Sequence, residues 1–143
     1  MIDRKNFVYS KAAAARILGV SVYAIARFEK WAYVCFVQVK GKRPTFISFK
    51  AFKAHFVEWR VEASKFLCVS KVNDSQYRVV NPKKNTAYSV FVEADGLDCE
   101  CKDYENQVAI LKGRRCCKHG YAVLTWLGCD RLSDYLDRRL RVA

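Results

Sequence analysis

The sequence lacks long hydrophobic runs, a secretion signal and any internal repeat, low-complexity tract or long linker. No stretch of about 18 apolar residues occurs, so no membrane-spanning helix is predicted. The first residues do not show the basic-then-apolar layout of a signal peptide. Its 52% apolar share nevertheless excludes a disordered chain. We therefore expect a folded cytoplasmic protein, associated with the nucleoid if the source is prokaryotic, with no membrane partner.

Recognisable catalytic arrangements are also missing. The chain has two histidines, and because one is assigned to a metal site below, no Cys/His or Ser/His/Asp arrangement is assembled. Gly41-Lys42-Arg43 lacks the glycine spacing of a phosphate-binding loop. Paired carboxylates suited to two-metal nuclease chemistry are not evident. We expect a protein that is not an enzyme and has no small-molecule substrate.

Acidic residues are scarce relative to basic ones. Lys and Arg number 26 against 14 Asp and Glu, which gives a net charge of +12. Residues 1–65 hold 13 of the basic and 4 of the acidic residues, so most of the excess lies in the N-terminal part. A local excess of positive charge argues for a surface that binds a polyanion.

The N-terminal part predicts two short helices followed by a hairpin. Ser10 can cap a helix over residues 10–18, and Gly19 ends it. Ser21 is a second N-cap, and residues 22–30 are predicted to form a second helix with Ile25 and Phe28 facing inward. Two helices joined by a short glycine-containing turn are typical of a helix-turn-helix. Strands over 33–39 and 45–48, joined by a basic turn, and a helix over 50–63 follow.

This order of elements resembles the excisionase-type, MerR-like winged helix-turn-helix family over about residues 9–57. The matching positions are Ala14, Leu18, Gly19, Val20, Ser21, Ile25, Gly41, Lys42, Arg43, Ile47 and Phe52. The resemblance implies binding to double-stranded DNA, with the second helix in the major groove and the hairpin on the backbone or minor groove. A helix fits the major groove, and cations at a turn neutralise phosphates whatever the sequence. The implied DNA contacts are Ser21, Tyr23, Ala26, Arg27, Lys30, Lys40, Lys42 and Arg43.

The C-terminal part predicts strands and then helices. Strands are expected over 66–71, 76–81 and 87–93, separated by turns rich in Asn, Asp and Pro. Residues 102–115 are expected to be irregular, with at most one helical turn. Helices over 117–127 and 131–141 complete the chain.

Three of the seven cysteines and one of the two histidines form a metal-ligand pattern in the C-terminal part. Cys99-Glu100-Cys101 and Cys117-Lys118-His119 are separated by fifteen residues. Because the cysteine number is odd and nothing indicates secretion, reduced thiols bound to metal fit better than disulfides. Three thiolates and an imidazole suit tetrahedral zinc. Four protein ligands leave no open coordination position, which indicates one structural Zn²⁺ rather than a catalytic one.

The same pattern resembles the SWIM-type zinc finger, Cys-x-Cys…Cys-x-His, over about residues 66–127. The preceding strands, Asp103-Tyr104 and Ala122 also match that family. The resemblance implies Cys99, Cys101, Cys117 and His119 as ligands. A pair formed by Cys116 and His119 is also stereochemically possible, but the family pattern favours Cys117.

Taken together, the sequence predicts an α+β protein with a winged helix-turn-helix domain over 1–65 and a SWIM-type domain with C-terminal helices over 66–143. By analogy, we expect a non-catalytic, zinc-containing DNA-binding protein that regulates transcription or assists recombination or a mobile element. It could self-associate or bind another protein through the zinc-finger module. Two alternatives stay open: a protein-interaction adaptor using the finger and aromatic surfaces, and a binder of RNA or single strands through Tyr77, Tyr88 and Phe91.

Overall fold

The computed structural model describes residues 7–112 and 115–142 (backbone only for 140–142), and this part is mixed α+β. A short 3₁₀ turn, Val22–Ala24, follows the first helix. The elements in chain order are α1 (Lys11–Leu18), β1 (Ile25–Lys30), β2 (Val34–Val39), β3 (Thr45–Ser48), α2 (Phe49–Ser64), β4 (Cys68–Asn73), β5 (Gln76–Asn81), β6 (Thr86–Glu93), β7 (Gly96–Cys99), α3 (Lys102–Ile110), α4 (Lys118–Trp126) and α5 (Leu132–Val142). Among the described helices, none combines the length and the apolar character that crossing a bilayer requires.

The chain divides into two compact units between Trp59 and Arg60, inside α2. The boundary predicted from the sequence lies later, after residue 65. The first unit contains a three-stranded antiparallel sheet in the order β1-β2-β3. The second contains a four-stranded antiparallel sheet in the order β4-β5-β6-β7. Each unit has its own apolar core.

The first unit begins with the predicted helix, and its ends are capped as expected. The Ser10 hydroxyl accepts a hydrogen bond from the Ala13 amide at 3.0 Å. Gly19 ends α1 in the left-handed conformation with φ 68°, which glycine adopts without steric cost. The unit's buried core residues are Ala13, Ala14, Ala15, Ile25, Cys35, Val37, Ile47 and Phe52.

The predicted second helix over residues 22–30 is wrong, because residues 25–30 form strand β1. Ile25 pairs with Val39 and Phe28 with Val37, and the register shifts between Ile25 and Arg27. In a regular strand, residues three apart point to opposite faces. The β-bulge inserts one extra residue, so Ile25 and Phe28 both join the core. Their spacing therefore fits one face of a helix and also a bulged strand.

The basic hairpin is confirmed, although it is not attached to a helix-turn-helix. Strands β2 and β3 pair antiparallel, with Cys35 opposite Ile47. The connecting turn carries Lys40, Lys42 and Arg43, all of them exposed.

The second unit packs its sheet against helices. Buried Val79 and Val90 of the sheet share one core with Leu124 of α4. Helix α3 corrects the expectation that residues 102–115 are irregular, and strand β7 was not among the predicted strands. The Cys101 sulfur accepts a hydrogen bond from the Tyr104 amide at 3.4 Å and so caps α3. Because sulfur is a weak acceptor, cysteine is absent from the usual N-cap residues, and the helix start was not evident.

Candidate metal centre

Cys99, Cys101, Cys117 and His119 converge in the second unit. Their potential ligand atoms all lie within 4.8 Å of one another, and all four residues are buried. A tetrahedral zinc ion with bonds of about 2.0 to 2.3 Å separates its ligands by roughly 3.5 Å. A small contraction of the cluster would therefore close it around one ion. The four residues that the sequence pattern predicts are thus close enough to bind a single metal ion.

The cluster forms where a strand ends and two helices begin. Strand β7 ends at Cys99, Cys101 caps α3, and Cys117 caps α4 by accepting a hydrogen bond from the Gly120 amide at 3.4 Å. His119 lies in the first turn of α4. Partial positive charge at a helix N-terminus stabilises a thiolate. The amides at the two helix starts therefore favour the anionic form of the Cys101 and Cys117 sulfurs, whatever the neighbouring thiols contribute.

Hydrogen bonding among the three thiols shifts their pKa values in opposite directions. Bonds from the Cys117 and Cys99 thiols lower the pKa of the Cys101 thiol far below its ordinary value. The bond to Cys101 raises the pKa of Cys99 to about 12, and the pKa of Cys117 also rises through its bond to Cys101. Because metal binding requires thiolates, an ion that binds the cluster displaces thiol protons.

The surroundings of the cluster suit a closed, structural site. The Tyr88 ring lies 4.8 Å from the His119 ring, and His119 Nδ1 lies 3.8 Å from the Cys117 sulfur. With all four ligand residues buried, the protein supplies a complete donor set. Three sulfurs and one imidazole nitrogen favour a soft or borderline ion over Mg²⁺ or Ca²⁺, which prefer oxygen ligands.

Cys116, the open alternative in the sequence, stays outside the cluster. It is buried beside the candidate ligand Cys117, and its thiol lies 3.6 Å from the Cys117 carbonyl oxygen, to which it can donate. Burial raises the pKa of the Cys116 thiol, which keeps it protonated. Among the described residues, the cluster therefore contains Cys117 and not Cys116.

A buried glutamine that the sequence analysis missed fixes the backbone next to Cys117. Gln107 on α3 donates from Nε2 to the Cys116 carbonyl at 3.0 Å and accepts from the Cys116 amide at 3.0 Å. Its Nε2 also donates to Asp103 at 3.1 Å. Asp103 in turn accepts two hydrogen bonds from the Arg60 guanidinium, at 2.9 and 2.7 Å. Gln107 lies on the buried face of α3, and the sequence did not predict that helix.

Gly120 packs closely against the side chain of Cys116. A Cβ atom added there would lie 2.7 Å from the Cys116 sulfur. We expect Gly120→Ala to lower the free energy of unfolding by about 1–3 kcal/mol through overpacking, despite alanine's helix preference of about 1 kcal/mol. With Cys116→Ala also present, the clash disappears and Gly120→Ala should no longer destabilise. Chemical denaturation of both single variants, the double variant and the parent protein measures this coupling, and strictly additive effects would refute it.

The implied DNA contacts do not share one helix face. Arg27 lies on β1, pairs with Glu29 at 2.9 Å and has its guanidinium 5.4 Å from the Phe36 ring. Lys30 lies on the other face of β1, with its ammonium 5.1 Å from the Tyr9 ring. The other implied contacts lie before β1, on β1 or in the hairpin turn: Ser21, Tyr23, Ala26, Lys40, Lys42 and Arg43.

The second helix, which was expected to enter the major groove of DNA, is thus replaced by a strand. The exposed cations of the hairpin turn are present as predicted. Of the aromatic residues in the single-strand alternative, Tyr77 is buried and Tyr88 packs against the core. The likeness of the cysteine and histidine spacing to a SWIM finger stays a prediction. No protein-family model, curated protein or solved structure matches this chain.

Proposed function

We propose that this chain is a non-catalytic DNA-binding protein whose second unit folds around one structural zinc ion. The observation that carries the DNA-binding part is the exposed basic hairpin of the first unit. The buried donor set of Cys99, Cys101, Cys117 and His119 supports the zinc. A role in transcription control or recombination is an analogy drawn from the two family resemblances alone.

The zinc assignment follows from ligand chemistry. Three thiolates and one imidazole are a donor set typical of structural zinc sites, and a buried four-ligand site leaves no position for a reacting water. Cysteine and histidine side chains do the binding, while the helix N-termini at Cys101 and Cys117 favour the thiolate form. The ion would cross-link the segments that carry its four ligands and would have no catalytic role.

The DNA-binding part follows from charge that the protein itself leaves unneutralised. In the described ranges, Lys40, Lys42 and Arg43 are exposed and none of them pairs with a carboxylate. Three cations on one short turn can each displace a counterion from a phosphate. Since no recognition helix forms, we propose backbone contacts as the main mode of binding, with little base reading.

A paired comparison of two basic turns tests this proposal. Removing Lys42 and Arg43 as a double alanine variant should weaken binding to a duplex of arbitrary sequence and reduce the slope of log K against log salt by about 1.8. The matched control is Lys83→Ala with Lys84→Ala, on an exposed turn of the second unit. Fluorescence anisotropy over a salt series gives both slopes.

Two outcomes would contradict the proposal. Equal losses in both double variants would mean that the charge acts non-specifically across the whole surface. Binding to a protein partner that is insensitive to salt, without any measurable DNA affinity, would favour the adaptor hypothesis instead.

A further inference from the structure

Three aromatic rings cover the outer face of the first sheet. Trp31 stacks on Phe36 with ring centroids 5.5 Å apart and an interplanar angle of 16°. Phe46 lies 5.2 Å from Trp31 and 5.8 Å from Phe36. Trp31 is 47% exposed and Phe46 is 54% exposed, so both side chains are partly open to solvent. We call these three residues the aromatic platform.

The strand register explains why the platform faces outward. Cys35 pairs with Ile47, and both side chains are buried in the core of the unit. Phe36 pairs with Phe46 at the next position, so both rings point to the opposite side of the sheet. An exposed antiparallel face usually carries polar residues. A contiguous aromatic patch at this place therefore marks an interaction surface.

Cations and one carboxylate lie near the platform. Glu29 pairs with Arg27 at 2.9 Å and accepts a hydrogen bond from Trp31 Nε1 at 3.4 Å. The Arg27 guanidinium lies 5.4 Å from the Phe36 ring, and β2, which carries Phe36, leads directly into the turn with Lys40 and Lys42. The described residues of the first unit contain two carboxylates, Glu29 and Glu58, among many cations. Rings beside cations complement a ligand that combines flat apolar groups with negative charge.

We propose that the aromatic platform binds single-stranded nucleic acid, with unpaired bases stacked on Trp31 and Phe46 and phosphates held by the basic hairpin. This inference rests on the proposed nucleic-acid-binding function and specifies single strands as the preferred ligand. Bases in a duplex are stacked on one another and offer only their edges, whereas unpaired bases offer a π-face. Stacking tolerates any base, which agrees with a surface that has few groups for base reading.

The test compares one single strand with one duplex on the full-length, zinc-loaded protein. The probes are a labelled oligothymidine of about 16 nucleotides and a duplex of similar length at the same salt concentration. Phe46→Leu removes the ring but keeps an apolar side chain, and it should weaken oligothymidine binding about 5- to 100-fold. Duplex affinity should change less than about twofold, because no phosphate contact is lost.

Two further variants separate stacking from folding. Phe46→Tyr retains a ring and should bind oligothymidine almost as the parent does. Phe66→Leu changes a phenylalanine of the second unit that is 62% exposed, and it should have no effect. Circular dichroism of each variant checks that the sheet is intact.

The outcomes distinguish this inference from the proposed function. Salt-dependent binding of both probes, with Phe46→Leu affecting them equally or not at all, keeps the proposed function and overturns the platform. If neither probe binds, both proposals fail. If Phe46→Leu instead converts a dimer into a monomer without changing nucleic-acid affinity, the platform is a self-association surface and the inference is overturned.

Discussion

Cys117→Ser should abolish stoichiometric metal binding and expose residues 95–120 to protease, whereas Cys116→Ser should keep both the metal and the protection. Cys117 belongs to the buried four-ligand cluster, and its sulfur also caps α4. Structural zinc in small domains contributes about 10 kcal/mol or more of apparent binding free energy, which becomes folding free energy. The bonds from Gln107 to residue 116 involve only its backbone, so Cys116→Ser leaves them in place.

Elemental analysis and limited proteolysis measure the two effects. In Cys117→Ser, cleavage should concentrate within residues 95–120, while the parent and Cys116→Ser resist cleavage there. The first unit has its own core around Ile25, Val37 and Phe52 and should survive chelation. Full zinc in Cys117→Ser with none in Cys116→Ser would reverse the ligand assignment, and a parent protein without metal would remove the metal centre altogether.

Gln107→Leu should lower the free energy of unfolding by about 2–6 kcal/mol, although leucine preserves much of the side-chain volume. The substitution leaves the buried amide and carbonyl of Cys116 without their hydrogen-bond partner, at about 1–3 kcal/mol each. Because those bonds hold the peptide that precedes Cys117, metal affinity should also fall, by about 10- to 100-fold.

The matched control lies on the same helix. Glu105 of α3 is exposed, and Glu105→Leu introduces the same residue without touching the Cys116 backbone. Urea denaturation at fixed free zinc and competition with a chromophoric chelator give the two quantities. A Gln107→Leu protein as stable as Glu105→Leu, with unchanged metal affinity, would show that the glutamine does not position the ligand segment.

The candidate metal ligands could be predicted from the sequence because they lie in two segments of three residues each. Cys99 and Cys101 lie one residue apart, as do Cys117 and His119, and few roles other than metal binding need those residue types at that spacing. Whether Cys116 or Cys117 completes the cluster depends on which sulfur caps α4, and residue spacing alone does not decide that.

The second helix could not be predicted correctly because its pattern fits two structures. Residues 25–30 contain apolar side chains three apart, the period of a helix face. The pairing with β2 and the bulge beside Ile25 decide in favour of a strand, and both depend on contacts with residues far along the chain. The same strand pairing determines which aromatic side chains face outward, so the aromatic platform could not be predicted from the sequence either.

The double use of Cys101 and Cys117 has a consequence for how the second unit assembles. Helices α3 and α4 have nine residues each, too short to persist alone in water, and nucleation is the costly step of helix formation. In each helix the sulfur that satisfies an early backbone amide is also a candidate metal ligand. We therefore expect helix nucleation and ion binding to be coupled, because the same two sulfurs would serve both.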